Sequence, residues 1–557
     1  MSMRILIADK LAPEGAAYLQ SQADVEVSTQ TGLAGEGLAD ALAGHDGVVV
    51  RSAVQITRPV LERLATGNRN RLRAIARAGV GVDNIDVETA TRLGIAVMNA
   101  ASASTIATAE HTFALMIALA RNIAAAHATV SAGGWDRAKF VGTQLHGKTL
   151  GIVGLGRIGR SVAQRALAFG MNVCAFDPFI NADTALEGQV ALVDSLSDLL
   201  GRVDVISFHV PKSEATEAML DRAALAAARP GLLVINASRG GIIDESAVLE
   251  ALESGRCGGA ALDVYDQEPL PVDSPLRNHP KILTTPHLGA STVEAQEAVA
   301  VDACKGLVKY LRGDGLTGAV NAGGLTLDLS DRQRAFVDLS ARMIALLDAV
   351  IAPTRLRTVR FRVRGETLAG SAETIARHAL VELLRRHLDE PINVINASLV
   401  AEQRHIDAQT IIGADHGEDR LGIEIDQDGE TRRVEGAIYG DQLPRVTHLD
   451  GYAMDMVPAG PMVVLTNADE PGRIGLVGRM FGDAKVNIAE MVIGRKADAA
   501  TGDQIAMMIL KLDDAPTPDL LEALRKAPGI LSVAAVELGE ESDGATKRRS
   551  DEGADRR

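Results

Sequence analysis

Lys148–Phe169 reads KTLGIVGLGRIGRSVAQRALAF: an apolar run, then Gly154-x-Gly156-x-x-Gly159, then a stretch with helical period. The next apolar run, MNVCAFDP, leads to Asp177. A dinucleotide site needs that order. One glycine allows the tight strand-to-helix turn, a second lets backbone approach a pyrophosphate, and the third permits close helix–strand packing. The helix N-terminus offers free N–H groups and the positive end of its dipole to the phosphates. A carboxylate about 20 residues further on can accept both ribose hydroxyls. A bare GxGxxG is also an ordinary Gly-rich turn; strand before, helix after and acid at this distance favour the nucleotide reading. Pro178, Phe179 and Ile180 follow Asp177, with no Arg or Lys to meet a 2′-phosphate, so the expected cofactor is NAD rather than NADP.

Outward from this motif, residues 147–287 hold a series of strand-like runs, LGIVGLG, NVCAFDP, VDVISFHV, LLVINASRG, GGAALDVYD and ILTTPHLG, spaced to leave room for crossover helices. This predicts a Rossmann-type doubly wound sheet. Upstream, RILIAD, VEVSTQ, DGVVVRS, LRAIARAG and IAVMNA predict a smaller, flavodoxin-like parallel α/β unit. A helical stretch from about Thr105 to Val130, with Glu110 and Arg121 as its only charges, is expected to be largely buried. A helix over Val293–Leu311 carries the chain back. The expected organisation is a discontinuous substrate domain (1–99 and 288–322) around an inserted NAD domain (100–287), with cofactor and substrate meeting in the cleft between them.

Past the GDGLTGAVNAGG linker the pattern changes. Asp331–Ile351 reads as a helix opening an α+β intervening domain (325–457), in which Asp428-Gly429 signals a hairpin turn. From Met462 the run is strand, helix, strand, strand, helix, strand, the ferredoxin-like unit, over 460–539. The charged tail, 540–557, lacks apolar anchors and is expected to be disordered.

At 557 residues, 46% hydrophobic and 23% charged, the chain has ordinary globular composition, and with 3% aromatics its cores must be built from Ala, Val, Ile and Leu. A net charge of −16 argues against nucleic acid or an anionic membrane as partner, although a local basic pocket could still take a small anion. Cys174, Cys257 and Cys304 have no metal-ligand spacing and read as free thiols of a reducing compartment. The start lacks the apolar core of a secretion signal, and the longest apolar run, Phe113–Ala120, falls short of the ~20 residues of a membrane span. A cytoplasmic, soluble protein is expected.

Three residues at predicted strand ends could carry hydride-transfer chemistry: Arg239 in INASRGGIID, Glu268 in ALDVYDQEPL and His287 in TTPHLGAST. Moving hydride at a hydroxyl-bearing carbon requires moving the oxygen's proton, which suits an imidazole titrating near neutrality. A carboxylate on its far nitrogen fixes the tautomer and favours the charged form. An Arg can hold a substrate carboxylate in a fork. Taken singly, His287 could be a packing or capping residue, Glu268 a loop acid and Arg239 a solvated turn.

Taken jointly, VRSAVQIT, RAGVGVDNIDVETATRLGIAVMNA, the glycine motif, INASRGGIIDE, ALDVYDQEPL and PHLGAST resemble the D-isomer-specific 2-hydroxyacid dehydrogenases from residue 4 to about 325. The similarity is greatest to the long-form branch that acts on 3-phosphoglycerate. NADEPGRIGLVGRMFGDAKVNIAEM resembles an ACT regulatory domain, and the segment before it that branch's intervening domain. The resemblance implies NAD-dependent oxidation of 3-phospho-D-glycerate to 3-phosphohydroxypyruvate, opening phosphorylated L-serine biosynthesis. It makes Arg239, Glu268 and His287 the catalytic set. Around the cofactor it places Gly154, Gly156, Arg157, Ile158, Gly159, Asp177, Ala237, Ser238, Gly289 and Ala290, with Asp263 at the nicotinamide end. Arg51, Arg77, Ser104 and Arg137 fall at substrate positions, Arg137 across a dimer interface on a loop anchored by Trp135. Family members commonly carry Gly-Asn where this chain has Ala103-Ser104. Asp469 and Asn487 fall where serine-sensing members bind their effector, and Asn467 at a position that varies in type. An L-serine effector and a homotetramer are thereby implied. GYAMDMVP carries no basic residue, so no anion site is expected there.

Two other functions stay open at this stage. A broader hydroxypyruvate or glyoxylate reductase would not need the C-terminal domains or the extra substrate arginines. A non-catalytic, NAD-sensing corepressor-like protein would not need the Arg239–Glu268–His287 set.

Overall fold

The computed structural model describes residues 2–66, 70–181, 185–351, 356–413, 417–427, 430–440, 443–497 and 504–539. Four sheets succeed one another along the chain. The first holds β1 (Met3–Ile7), β2 (Val25–Thr29), β3 (Gly47–Val50), β4 (Ala74–Arg77) and β5 (Ala96–Asn99) in the order β2-β1-β3-β4-β5. All its pairs are parallel, as expected of a flavodoxin-like unit. Its strands run Ala, Ile, Val because both faces are covered, on one side by the returning helix Val293–Arg312.

The second sheet holds β6 (Thr149–Val153), β7 (Asn172–Phe176), β8 (Ala191–Leu192), β9 (Val205–Phe208), β10 (Leu232–Asn236), β11 (Cys257–Leu262) and β12 (Ile282–Thr284). Their order is β12-β11-β10-β9-β6-β7-β8, again wholly parallel. Numbered from β6, this is the doubly wound 3-2-1-4-5-6 arrangement with one strand added. The chain reverses direction across the sheet between β6 and β9, so the glycine turn after β6 opens into the crevice where such folds bind ligands.

One expectation is corrected. The stretch from Thr105 to Val130 is not one buried helix but two, Thr105–Ala120 and Ile123–Ser131, bent by 65°. Asn122 adopts φ +53°, a left-handed conformation that Asn tolerates better than most residues, and the amide of Thr143 donates to the freed Ala120 carbonyl at 2.9 Å. The first helix packs on β11, where Leu119 lies 3.0 Å from a Cβ built at Gly259. The second helix has no fully buried residue, and the arm around it exposes Ile123 (50%), Val130 (55%), Trp135 (82%) and Val141 (81%). Helical period alone could not reveal a bend made by one backbone conformation. Among the described residues no single helix is long and apolar enough to cross a membrane.

The third sheet holds β13 (Thr358–Arg364), β14 (Asp407–Ile412), β15 (Arg420–Gln427), β16 (Glu430–Tyr439), β17 (Leu443–Leu449) and β18 (Tyr452–Met456) in the order β14-β13-β15-β16-β17-β18. Gln427 pairs with Glu430 across the expected hairpin; Asp428-Gly429 itself lies outside the described residues, as does the tail 540–557. The fourth sheet holds β19 (Gly460–Ala468), β20 (Ile488–Ala497), β21 (Gln504–Leu512) and β22 (Ile530–Leu538), antiparallel in the order β20-β21-β19-β22. This is the ferredoxin-like order.

The two C-terminal lobes share a hydrophobic core. Met462, Val464, Met507, Ile509 and Leu538 pack with Phe336, Met343, Val434 and Tyr452. The opposite face of the fourth sheet buries Val463, Leu465 and Leu510 against Val477, Phe481 and Leu524.

The Rossmann turn gives a direct test of the packing. A Cβ built at Gly159 would stand 2.1 Å from the Gly154 carbonyl oxygen. Gly159→Ala should therefore cost about 1–3 kcal/mol or more in denaturant unfolding, the range of overpacked cores, and weaken NAD binding. Unchanged stability and affinity would show that helix and strand are not in fact this close.

Candidate functional site

The nucleotide crevice is built by three glycines with different tasks. Gly154 has φ +88°, and a Cβ there would meet the His209 carbonyl oxygen at 2.7 Å. Gly159 holds the helix Arg157–Ala168 against β6. Gly156, at the N-cap of that helix, has nothing within 4 Å of a built Cβ, so the space in front of the helix N-terminus is open. Arg157 and Ile158 open the helix beside that space.

Asp177 follows β7 and is braced against the same turn: Oδ2 accepts from the Leu155 amide at 2.8 Å and Oδ1 from the Phe179 amide at 2.9 Å. A carboxylate has about four acceptor positions, so each oxygen keeps one for a ribose hydroxyl. Burial pushes the neighbouring His209 imidazole down to about 4, so it is neutral near pH 7 and adds no charge to the crevice. Open helix N-terminus, tight turn and braced acid fit NAD.

The chemistry-bearing residues stand at the C-terminal ends of three adjacent strands. After β10, Asn236 is fully buried and shapes the turn. Its Oδ1 accepts from the Ser238 amide and hydroxyl at 3.1 and 2.7 Å, and its Nδ2 donates to the Arg239 carbonyl at 2.9 Å. The turn carries Ala237, Ser238 and Arg239 past the end of β10. After β11 comes Glu268, whose Oε1 accepts from the Tyr265 amide at 3.1 Å and whose Oε2 lies 2.7 Å from His287 Nδ1. The expected His–carboxylate pair is thus formed, leaving Nε2 for a substrate.

His287 follows β12 in an unusual backbone state, φ +53°, which costs a β-carbon-bearing residue free energy and persists only where the surroundings impose it. Asp263 imposes it. Its carbonyl accepts from the His287 amide at 2.9 Å. Its Oδ1 accepts from the Leu288 amide at 2.8 Å and the Thr285 hydroxyl at 2.6 Å, and lies 3.1 Å from His111 Nε2; its Oδ2 accepts from the Gly289 amide at 2.9 Å. Burial alone would raise this carboxyl's pKa, but the donors, His111 first, hold it below the ordinary value. Asp263, expected at the nicotinamide end, is fully buried, and its contacts fix the loop that carries His287, Leu288 and Gly289.

Facing these strands, the first sheet supplies cations. Arg77, the last residue of β4, is half-buried, and its buried Nε has no hydrogen-bond partner among the described residues. Desolvation, then Arg239 with Arg51 behind it, push its guanidinium down to about 10, with Asp83 and Asp9 pulling the other way. Arg51 follows β3 in a loop fastened by Asp9, whose Oδ2 accepts from the Arg51 and Ala53 amides at 3.1 Å. Arg239 Nε donates to Asp83 Oδ2 at 3.0 Å across the two sheets. Three guanidiniums held together, one with an orphaned donor, make a pocket for a small anion.

Two further expected substrate residues belong to the segment that follows β5. Ser104 is fully buried at the N-cap of Thr105–Ala120, its hydroxyl without a partner among the described residues. Arg137 sits on the exposed arm that carries Trp135. The effector residues are also apart. Asp469 lies at one end of the fourth sheet, 3.2 Å from Arg495, and Asn487 at the other, donating to Asp513 at 2.6 Å. About eight residues of β20 separate these ends, roughly 27 Å of extended chain. Asn467 is buried on β19 and donates to the Ala468 carbonyl at 2.7 Å.

Sequence reasoning missed Asp83, His111, Asn236 and Tyr265. His111 was the most legible of these, a lone imidazole in the apolar stretch TAEHTFALM; the others act through contacts distant in the chain.

Comparison with known proteins agrees with this geometry. Residues 113–289 match the family described as D-isomer specific 2-hydroxyacid dehydrogenase, NAD binding domain, and residues 333–450 match the D-3-phosphoglycerate dehydrogenase intervening domain. The chain is 37% identical to the D-3-phosphoglycerate dehydrogenase of Archaeoglobus fulgidus, over 96% of this chain and 100% of that protein. It is 38% identical to that of Synechocystis sp., over 96% and 95%. Among solved structures, the TT0316 protein of Thermus thermophilus matches 57% of this chain and 98% of its own, at 34% identity and TM-score 0.51. A glyoxylate reductase from Paecilomyes thermophila matches the same shares at 30% identity and TM-score 0.53.

The Asp263 contacts generate a prediction with a definite pH sign. A carboxyl held below its ordinary value stabilises the fold fully above the unfolded value of about 3.9, and that stability is lost only as pH falls through the lower folded value. Amide-exchange protection of Leu288 and Gly289, corrected for intrinsic exchange, should therefore be flat from pH 5 to 8. Asp263→Asn should quicken their exchange by about tenfold or more, as a donor facing a lost acceptor costs about 1–3 kcal/mol. Equal protection in the variant would remove Asp263 from its role.

Proposed function

The chain belongs to the D-3-phosphoglycerate dehydrogenase family of D-isomer-specific 2-hydroxyacid dehydrogenases, and on that premise we propose how its residues divide the work. The protein is an NAD-dependent dehydrogenase that oxidises 3-phospho-D-glycerate to 3-phosphohydroxypyruvate. The observation carrying the assignment is the 2.7 Å His287–Glu268 pair on strand ends adjacent to the one that projects Arg239.

NAD, when bound, supplies the acceptor for the hydride leaving C2. Arg239 takes the substrate carboxylate in its fork, exchanging the contact with Asp83 for a bidentate one. Arg77 and Arg51 receive the phosphate, whose charge relieves the repulsion among the three guanidiniums. His287 Nε2 accepts the C2 hydroxyl proton, and Glu268 at Nδ1 fixes the tautomer and stabilises the imidazolium. Asp177 excludes a 2′-phosphate by like charge, consistent with NAD. The product is the keto acid that the phosphorylated route to L-serine consumes.

Regulation and assembly form the finer part of the reading. In one chain Asp469 and Asn487 occupy opposite ends of the fourth sheet, so an L-serine site using both must join two copies of that sheet. The exposed apolar arm of Ile123, Val130, Trp135 and Val141 supports a second contact, which would carry Arg137 into a neighbour's cleft. Two kinds of two-fold contact build a homotetramer.

Steady-state oxidation of 3-phosphoglycerate and of unphosphorylated D-glycerate by NAD tests the assignment. The phosphorylated substrate should be strongly preferred, and His287→Ala should lower kcat by roughly 10²–10⁴-fold with NAD affinity retained. Near-normal turnover in the variant would remove His287 from the chemistry. For the regulatory reading, calorimetry should show L-serine binding that Asp469→Ala and Asn487→Ala each weaken with basal activity intact. No serine binding to the wild type would leave the domain as an assembly module.

A further inference from the structure

Arg239, the residue that takes the substrate carboxylate in the proposed function, already holds a carboxylate in the free protein. Its Nε donates to Asp83 Oδ2 at 3.0 Å. The contact crosses the cleft, since Arg239 belongs to the turn after β10 and Asp83 to the turn after β4.

Both ends of the contact are fixed by backbone. On the Asp83 side, Asn84 Nδ2 donates to the Arg51 and Val54 carbonyls at 2.9 and 2.7 Å, and the Asn84 carbonyl accepts from the Ile56 amide at 2.8 Å. Asn99 Nδ2 donates to the Val80 carbonyl at 2.5 Å and holds the other limb of the same turn. On the Arg239 side, Nη1 donates to the Ser238 carbonyl at 2.6 Å, so the guanidinium is held from within its own turn. Gly81 stands between the two ends. A Cβ built there would overlap Arg239 Nη2 and lie 2.6 Å from Asp83 Oδ2, so only a residue without a side chain lets the guanidinium reach across.

The pair is placed to be given up. The Asp83 side chain is 64% exposed and that of Arg239 24%, and an ion pair so open to water contributes little. Its acid is the same chemical group that a 2-hydroxy acid presents. Asp83 also offsets the repulsion that Arg239 exerts on Arg77. An arriving carboxylate can take over both tasks.

We propose that Asp83 is an internal ligand of the carboxylate subsite, occupying Arg239 in the free enzyme and setting how tightly a carboxylate-bearing substrate binds. The proposal rests on Arg239 being the carboxylate-binding residue of the proposed function. The apparent affinity of a carboxylate ligand is reduced by the fraction of molecules in which Arg239 is released. A ligand that carries phosphate but no carboxylate makes no demand on Arg239, leaves the pair in place and escapes that penalty. The substrate replaces one bridge across the cleft with another: its carboxylate on Arg239 of the second sheet, its phosphate on Arg77 and Arg51 of the first.

Calorimetry on the full chain saturated with NADH tests this, because the reduced cofactor cannot accept a hydride and substrate binds without turnover. 3-Phosphoglycerate probes both anion positions; glycerol 3-phosphate, with the phosphate and no carboxylate, probes one. Asp83→Asn removes the charge at an exposed position and keeps the shape of the side chain. It should tighten 3-phosphoglycerate binding by about fivefold beyond any change for glycerol 3-phosphate, the upper end for an exposed ion pair. An equal change for both ligands, no change included, would reduce Asp83 to a distant charge and overturn the proposal. Weaker 3-phosphoglycerate binding would overturn it as well, showing that Asp83 orients Arg239 instead of competing for it. A wild type that binds 3-phosphoglycerate beside NADH but does not oxidise it with NAD would count against the proposed function and leave the role of Asp83 standing.

Discussion

One buried carboxylate sets the geometry of the catalytic edge. Asp263 is wholly enclosed, where an unpaired charge would cost several kcal/mol, and it is tolerable only because the Leu288 and Gly289 amides, the Thr285 hydroxyl and His111 surround it. In satisfying itself it dictates the path of the loop after β12 and forces His287 into a left-handed backbone state. The imidazole so placed meets Glu268 at 2.7 Å. The Tyr265 hydroxyl, 2.9 and 2.8 Å from the Leu262 and Thr285 carbonyls, ties the Glu268 loop to the same strands. Stability and function pull in one direction here: the contacts that make Asp263 tolerable also preorganise the acid–base pair.

The cations obey the opposite logic. Arg77 is desolvated beside Arg239 and Arg51, a repulsion that Asp83 and Asp9 offset in part and that a bound anion would relieve further. An overall charge of −16 keeps anions away from most of the surface, so a cleft where three guanidiniums gather around Asp83 and Asp9 stands out as a selective point of entry.

What the sequence disclosed followed from local pattern. Strand runs, the Gly154–Gly159 spacing and the placement of Asp177 depend on neighbours within a few turns, and the structure bears out both parallel sheets and the ferredoxin-like order. The His287–Glu268 pair was legible because both residues follow strands that a doubly wound sheet makes adjacent. The bend at Asn122 was not legible, because a single left-handed residue leaves the hydrophobic period almost intact. Nor was the Asp83–Arg239 contact, which joins residues 156 apart in the chain. The common core of the two C-terminal lobes was hidden for the same reason: β19 and β21 are buried on both faces, and apolar runs do not say what covers each face.

The central claim is that this cleft removes hydride from C2 of 3-phosphoglycerate while the chain's own residues handle the proton. Deuterium placed at C2 of the substrate tests it most directly. Mass spectrometry of the reduced cofactor after turnover should find one deuterium per NADH formed and none in the solvent. NADH that carries no label, or label released to water, would contradict the account.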